Sequence, residues 1–145
     1  MSAEELKAKI SHAMDEAYNK GNLQLVDDTV APNLVYHNRP FPDVLGCDGY
    51  KQYIAGLRAA YSDLHITFDE IIGEGNTTVA RWTLRGVHTG QSPSVRIPPT
   101  GKQVTLTGCL FSHWENGRVI EHWNHVDYLG MLQQLGIFPP PGKSG

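Results

Sequence analysis

The chain has 145 residues, 40% of them hydrophobic and 19% charged, with a formal charge of −3 at pH 7. That is enough chain for one domain with a buried core, and too little positive charge for nucleic acid or an anionic membrane surface as a partner. No apolar run approaches the roughly 20 residues of a membrane span, and the start "MSAEELKAKI" is too polar and acidic for a signal peptide. Cys47 and Cys109 lie far apart without a CxxC pattern, so free thiols and a cytoplasmic location are expected.

Ser2 and Glu5 have the spacing of a capping box, and Leu6, Ile10, Ala13, Ala17 and Tyr18 follow at helical intervals up to a stop at Gly21. Asn22 is placed to cap a short second helix through "LQLVDDTV". "LVYHN" then reads as a strand and "RPFPDVLGCDG" as a loop. Asp48 is the expected cap of a third helix, "GYKQYIAGLRAAYSD".

The second half alternates apolar and polar residues in "HITFDEIIGEG", "TTVARWTLRGVHTG" and "KQVTLTGCLFSHWENGRVIEHWNHV". Turn residues separate these strands, "QSPSVRIPPTG" is a longer connection, and "YLGMLQQL" reads as a closing helix. The order predicts an α+β fold: N-terminal helices covered by a curved antiparallel sheet, with a pocket at its open end. Residues 1–138 form the expected domain and 139–145 a Pro/Gly-rich tail.

The hairpin around Asn116-Gly117 decides which side chains share a face. A two-residue turn would pair Glu115 with Arg118 and put residues 110 and 124 on opposite faces. A three-residue loop pairs Trp114 with Arg118 and gathers Leu110, Ser112, Trp114, Ile120, His122 and Asn124 on one face. The second geometry is expected here, with that face toward the cavity. Asp127, directly before the last helix, is read as its N-cap rather than as an acid/base group. His122, His125 and Asp127 spell H-x-x-H-x-D, but on a strand the two histidines point to opposite faces, so no metal is expected.

The fragments "AYNKGNL", "GVHTG", "IPPTGKQV", "ENGRVIEHW" and "LGMLQQLG", in this order, resemble the SnoaL-like polyketide cyclases. These share the cone-shaped fold of nuclear transport factor 2, and the likeness spans Glu5 to Gly136. It implies a cone-shaped α+β barrel enclosing a cavity, a homodimer or higher homo-oligomer, and a small apolar ligand. It also implies cofactor-free ring closure by an intramolecular aldol step, with an aspartate as acid/base and a histidine nearby. In register with the family, the aspartate position falls on Asn124 and the histidine position on Leu110. Asp127 matches a different family aspartate.

An asparagine takes no proton but donates a hydrogen bond to a carbonyl or enolate oxygen. The candidate catalytic set is therefore Asn124, His122 as a base, and Tyr18 on the apolar side of the first helix. Leu110, Ser112, Trp114, Trp82, His88 and His37 are the expected substrate-lining residues. Two functional readings stand side by side. One is a cofactor-independent cyclase or isomerase acting on a polyketide-like or other apolar carbonyl compound. The other is a non-catalytic binding protein for such a molecule. Tyr18 and Asp43 have nearly the spacing of the tyrosine and aspartate of ketosteroid isomerases, which share the fold, and offer a second proton-transfer scheme.

Overall fold

A computed structural model describes residues 1–92 and 96–138 of the chain. The expected tail, 139–145, lies outside the described residues. The first helix, α1 (Ala3–Met14), starts in the expected capping box: the Ser2 hydroxyl accepts from the Glu5 N–H, and the Glu5 carboxylate accepts from the Ser2 N–H. It buries Leu6, Ile10, Ala13 and Met14. Before Gly21 the helix widens into one π-helical turn, Asp15–Asn19, which turns Ala17 and Tyr18 into the core. The wider turn is braced from outside. Asn19 exchanges two hydrogen bonds with the Ile66 backbone at 2.6 and 2.9 Å, and Arg58 donates to the Tyr18 carbonyl at 2.6 Å.

Helix α2 (Gln24–Thr29) has the Asn22 side chain accepting from the Gln24 N–H at 3.2 Å. Strands β1 (Val30–His37) and β2 (Val44–Leu45) precede α3 (Gly46–Ala60). Asp48 is not the cap of α3. The chain turns earlier, at Gly46 with φ of 81°, so Asp48 sits exposed in the first turn and pairs with Lys51 at 3.4 Å. The helix also ends before "YSD": the Ala60 carbonyl accepts the N–H groups of Thr89 and Gly90, and Tyr61 pairs with His88 as a strand residue.

Four long strands follow, β3 (Tyr61–Glu74), β4 (Thr77–His88), β5 (Gln103–Glu115) and β6 (Arg118–Val126), then α4 (Tyr128–Gln134). The six strands form one sheet in the order β2-β1-β6-β5-β4-β3. Neighbours are antiparallel except β1 and β6, which run parallel, because the last strand returns beside the first with the rest of the chain as crossover. The sheet curves over the helices without closing. Along β4 and β5 even-numbered residues face the helices and odd-numbered ones face outward, the period of two that a half-covered sheet requires.

The β5–β6 hairpin has the turn that sequence reasoning rejected and the face pairing that it expected. Asn116 and Gly117, with φ of 52° and 75°, make a two-residue turn, and Glu115 pairs with Arg118. Trp114 then pairs with Val119, yet His113 pairs with Glu121. Ile120 is thus an extra residue, a β-bulge, and it shifts the parity of β6 by one. Below the bulge Leu110 faces Asn124 and Ser112 faces His122. Ile120 itself leaves the inner face, and Val119, fully buried, takes its place beside Trp114.

Asp127 caps α4, its carboxylate accepting from the Gly130 N–H at 2.9 Å. Among the described residues no helix is long and apolar enough to cross a membrane. Replacement Asp127→Ala is expected to cost about 1 kcal/mol in denaturant-unfolding free energy, and Asp127→Asn much less, because asparagine retains the capping oxygen.

Candidate active site

Between α1, α3, α4 and the inner face of the sheet lies a pocket lined by all six tyrosines of the chain: Tyr18, Tyr36, Tyr50, Tyr53, Tyr61 and Tyr128. The helical spacing of Tyr50 and Tyr53 and the strand position of Tyr36 could have signalled this convergence. Only Tyr18 stood out before the strands were placed. The remaining wall is largely aliphatic, including Leu57, Leu84, Leu106, Leu110 and Met131. Among the described residues that line it there is no carboxylate, imidazole, thiol or amine. The free space is about 40 Å³. That admits two or three waters, so a larger occupant enters only as side chains move apart.

Trp82, Asn124 and Ser92 supply polar groups besides the phenols. The Trp82 indole N–H donates to the Asn124 amide oxygen at 3.0 Å, and the Asn124 amide nitrogen donates to the Tyr36 hydroxyl at 2.8 Å. Trp82 fits because its neighbour on β5 is Gly108, where a Cβ would lie 2.5 Å from the indole ring. Asn38, at the end of β1, donates to the hydroxyls of Tyr53 and Tyr128 at 3.1 and 2.8 Å. Tyr18 and Tyr50 join hydroxyls at 3.1 Å. Burial raises the pKa of Tyr18, Tyr36 and Tyr50 well above the ordinary phenol value and that of Tyr61 to about 12. The pocket is polar on one side and uncharged throughout.

Several expected lining residues lie elsewhere. His122 shares the inner face with Asn124 but sits one layer deeper, fully buried behind the Tyr36 and Tyr50 rings and outside the pocket lining. Its Nδ1 meets the Ser112 hydroxyl at 2.9 Å, and burial holds its pKa down at about 3. That makes it a neutral core imidazole and a weak base. Ser112 is its partner. Trp114 donates instead to Thr78, at 2.9 Å. His88 accepts the Thr100 N–H on Nδ1 at 3.3 Å and so braces the connection between β4 and β5.

His37 faces away from the pocket. It stacks on Trp123 at 3.8 Å, with Asp43 at 3.0 Å from Nδ1 and Glu121 at 2.7 Å from Nε2. The His37 hydrogen bond lowers the Glu121 pKa. Asp43 is also held by Arg39 at 3.0 Å and does not line the pocket, so the Tyr18–Asp43 scheme has no shared site to act in. Among the described residues no three His, Cys, Asp or Glu side chains converge in a way that could hold a metal. The H-x-x-H-x-D run separates into a buried His122, an exposed His125 and a capping Asp127.

A helix-lined pocket beneath a curved six-stranded sheet has known counterparts. The sequence profile of the SnoaL-like polyketide cyclases matches residues 8–135. The chain belongs to this family. Aklanonic acid methyl ester cyclase DnrD of Streptomyces peucetius is 28% identical over 129 residues, spanning 85% of this chain and 86% of the relative. DauD, the enzyme of the same name from Streptomyces sp. (strain C5), is 26% identical over 129 residues, spanning 85% and 77%. The structure of TsrD from Streptomyces laurentii superposes with a TM-score of 0.84 at 25% identity, covering 95% of this chain and 99% of that one.

Because the His122 pKa falls from 6.5 to about 3 on folding, the unfolded chain binds more protons between those values, and stability is lost as pH drops through that window. Replacement His122→Leu is expected to flatten this dependence by ~1.4 kcal/mol per pH unit, read from denaturant-unfolding midpoints across acidic pH.

Proposed function

We propose that this SnoaL-like chain is a cofactor-independent cyclase or isomerase that acts on a polyketide-like or other apolar carbonyl compound bound in the tyrosine pocket. The observation that carries this reading is Asn124. It occupies the position that the resemblance gives to the acid/base aspartate, it lines the pocket, and it is held by Trp82 and Tyr36. An intramolecular aldol closure is an isomerisation: one proton leaves carbon or its enol, one joins the new alkoxide, and nothing is oxidised or reduced. Carbon between two carbonyls enolises readily, so neutral donors aimed at the developing oxyanion lower the barrier without a carboxylate. The proposal takes over the homodimer that the resemblance implies.

The uncharged lining favours a second reading, a binding protein that keeps the pocket and performs no chemistry. Aklanonic acid methyl ester, the compound in the relatives' names, is the substrate to test, with ligands that co-purify identified by mass spectrometry. Under the enzyme reading the wild type forms cyclised product and Asn124→Leu lowers kcat roughly 10–100-fold. Tight binding without product in the wild type, with product appearing in Asn124→Asp, would establish the binding reading. If neither this ester nor any co-purifying carbonyl compound binds, both readings fall.

A further inference from the structure

We infer that Tyr36 is the proton-donating catalytic residue of this pocket, the group that protonates the substrate oxygen as the ring closes. The inference rests on the cyclase reading above and goes beyond it by naming the acid. It follows from a chain of hydrogen bonds whose directions are forced. An indole N–H only donates, so the Asn124 oxygen must be the atom that faces Trp82. The amide nitrogen therefore faces Tyr36, and it too only donates. The Tyr36 oxygen is the acceptor of that bond at 2.8 Å, so its own O–H proton is directed elsewhere.

Tyr36 is 1% exposed to bulk solvent and lines the pocket. Burial opposes the build-up of charge on its oxygen, and the hydrogen bond from Asn124 works in the other direction. The Tyr18 and Tyr50 hydroxyls satisfy each other, and Tyr50 further meets the Met14 sulfur at 3.5 Å. The Asn124 amide thus serves as a positioning group with a fixed orientation. This gives the asparagine a task that an aspartate would perform differently, since a carboxylate would accept from Tyr36 and draw the phenol proton toward itself.

The step balances without an external base. The enol π pair forms the new C–C bond to the accepting carbonyl carbon. The π pair of that carbonyl moves onto its oxygen, which takes the Tyr36 proton. The enol O–H proton passes to the Tyr36 oxygen, and the enol oxygen becomes a carbonyl. Tyr36 ends as it began, and the site carries no net charge before or after.

The test uses two flat aromatic probes of similar shape, one anionic and one neutral. 4-Nitrophenolate stands in for the enolate or alkoxide oxygen, and 4-nitrotoluene has no oxyanion. Dissociation constants for both are measured on the wild type and on Tyr36→Phe. The expected result is a loss of roughly 10–100-fold for the phenolate in Tyr36→Phe, with nitrotoluene affinity retained. A second variant keeps the hydroxyl and the fold: 3-fluorotyrosine in place of Tyr36 is a stronger donor and should bind the phenolate more tightly than the wild type. Unchanged phenolate affinity in both variants, while both probes bind the wild type, overturns the role of Tyr36 and leaves the pocket reading standing. Failure of the wild type to bind either probe overturns both.

Discussion

One extra residue in β6 decides what the pocket contains. A two-residue turn at Asn116-Gly117 would, on its own, aim Asn124 and His122 away from the helices. The bulge at Ile120 shifts the strand by one and brings both back to the inner face, opposite Leu110 and Ser112. Every later feature depends on that shift. Asn124 can reach Trp82 on β4 and Tyr36 on β1 only from the inner face, and Glu121 and Trp123 can meet His37 only from the outer one.

The same shift sorts charge. The carboxylates Asp43 and Glu121 pair with His37 and Arg39 on the side away from the pocket. The buried side holds neutral donors and acceptors that are paired with one another. This arrangement suits a low-dielectric wall, where an unpaired polar group is costly and a charge more so. Among the described residues His122 departs from this pattern: its Nε2 is buried without a hydrogen-bond partner, and burial depresses its basicity. An imidazole in that state packs against the Tyr36 and Tyr50 rings.

The phenols are held from several elements at once. Tyr18 depends on the π-helical turn that Asn19 and Arg58 brace, Tyr50 and Tyr53 on α3, and Tyr128 on the first turn of α4 that Asp127 caps. A pocket with so little free space is a set of rings in contact. Its capacity for a ligand therefore depends on how far these elements yield. Tyr36 and Asn124 stand on neighbouring strands of the sheet and are joined by a hydrogen bond, whereas Tyr18, Tyr50, Tyr53 and Tyr128 are carried by helices.

Much of the fold was legible in the sequence because it rests on short-range chemistry. The capping box at Ser2, the Asp127 cap, the alternation along β4 and β5, and the family fragments all sit within a few residues of their partners. The sequence also marked Asn124, Trp82, Leu110 and Tyr18, all of which line the pocket. It misjudged the hairpin, since a turn and a bulge that cancel leave the same pairing at residues 110 and 124, and local pattern cannot separate them. It placed Asp48 at a cap because capping residues look alike until the turn at Gly46 is known. It overvalued His122, His88 and His37, whose roles depend on depth and on partners from distant segments. The gathering of six tyrosines from three helices and two strands into one uncharged pocket was a decision of tertiary structure alone: residues as far apart as 18 and 128 meet only once the sheet has curved over the helices.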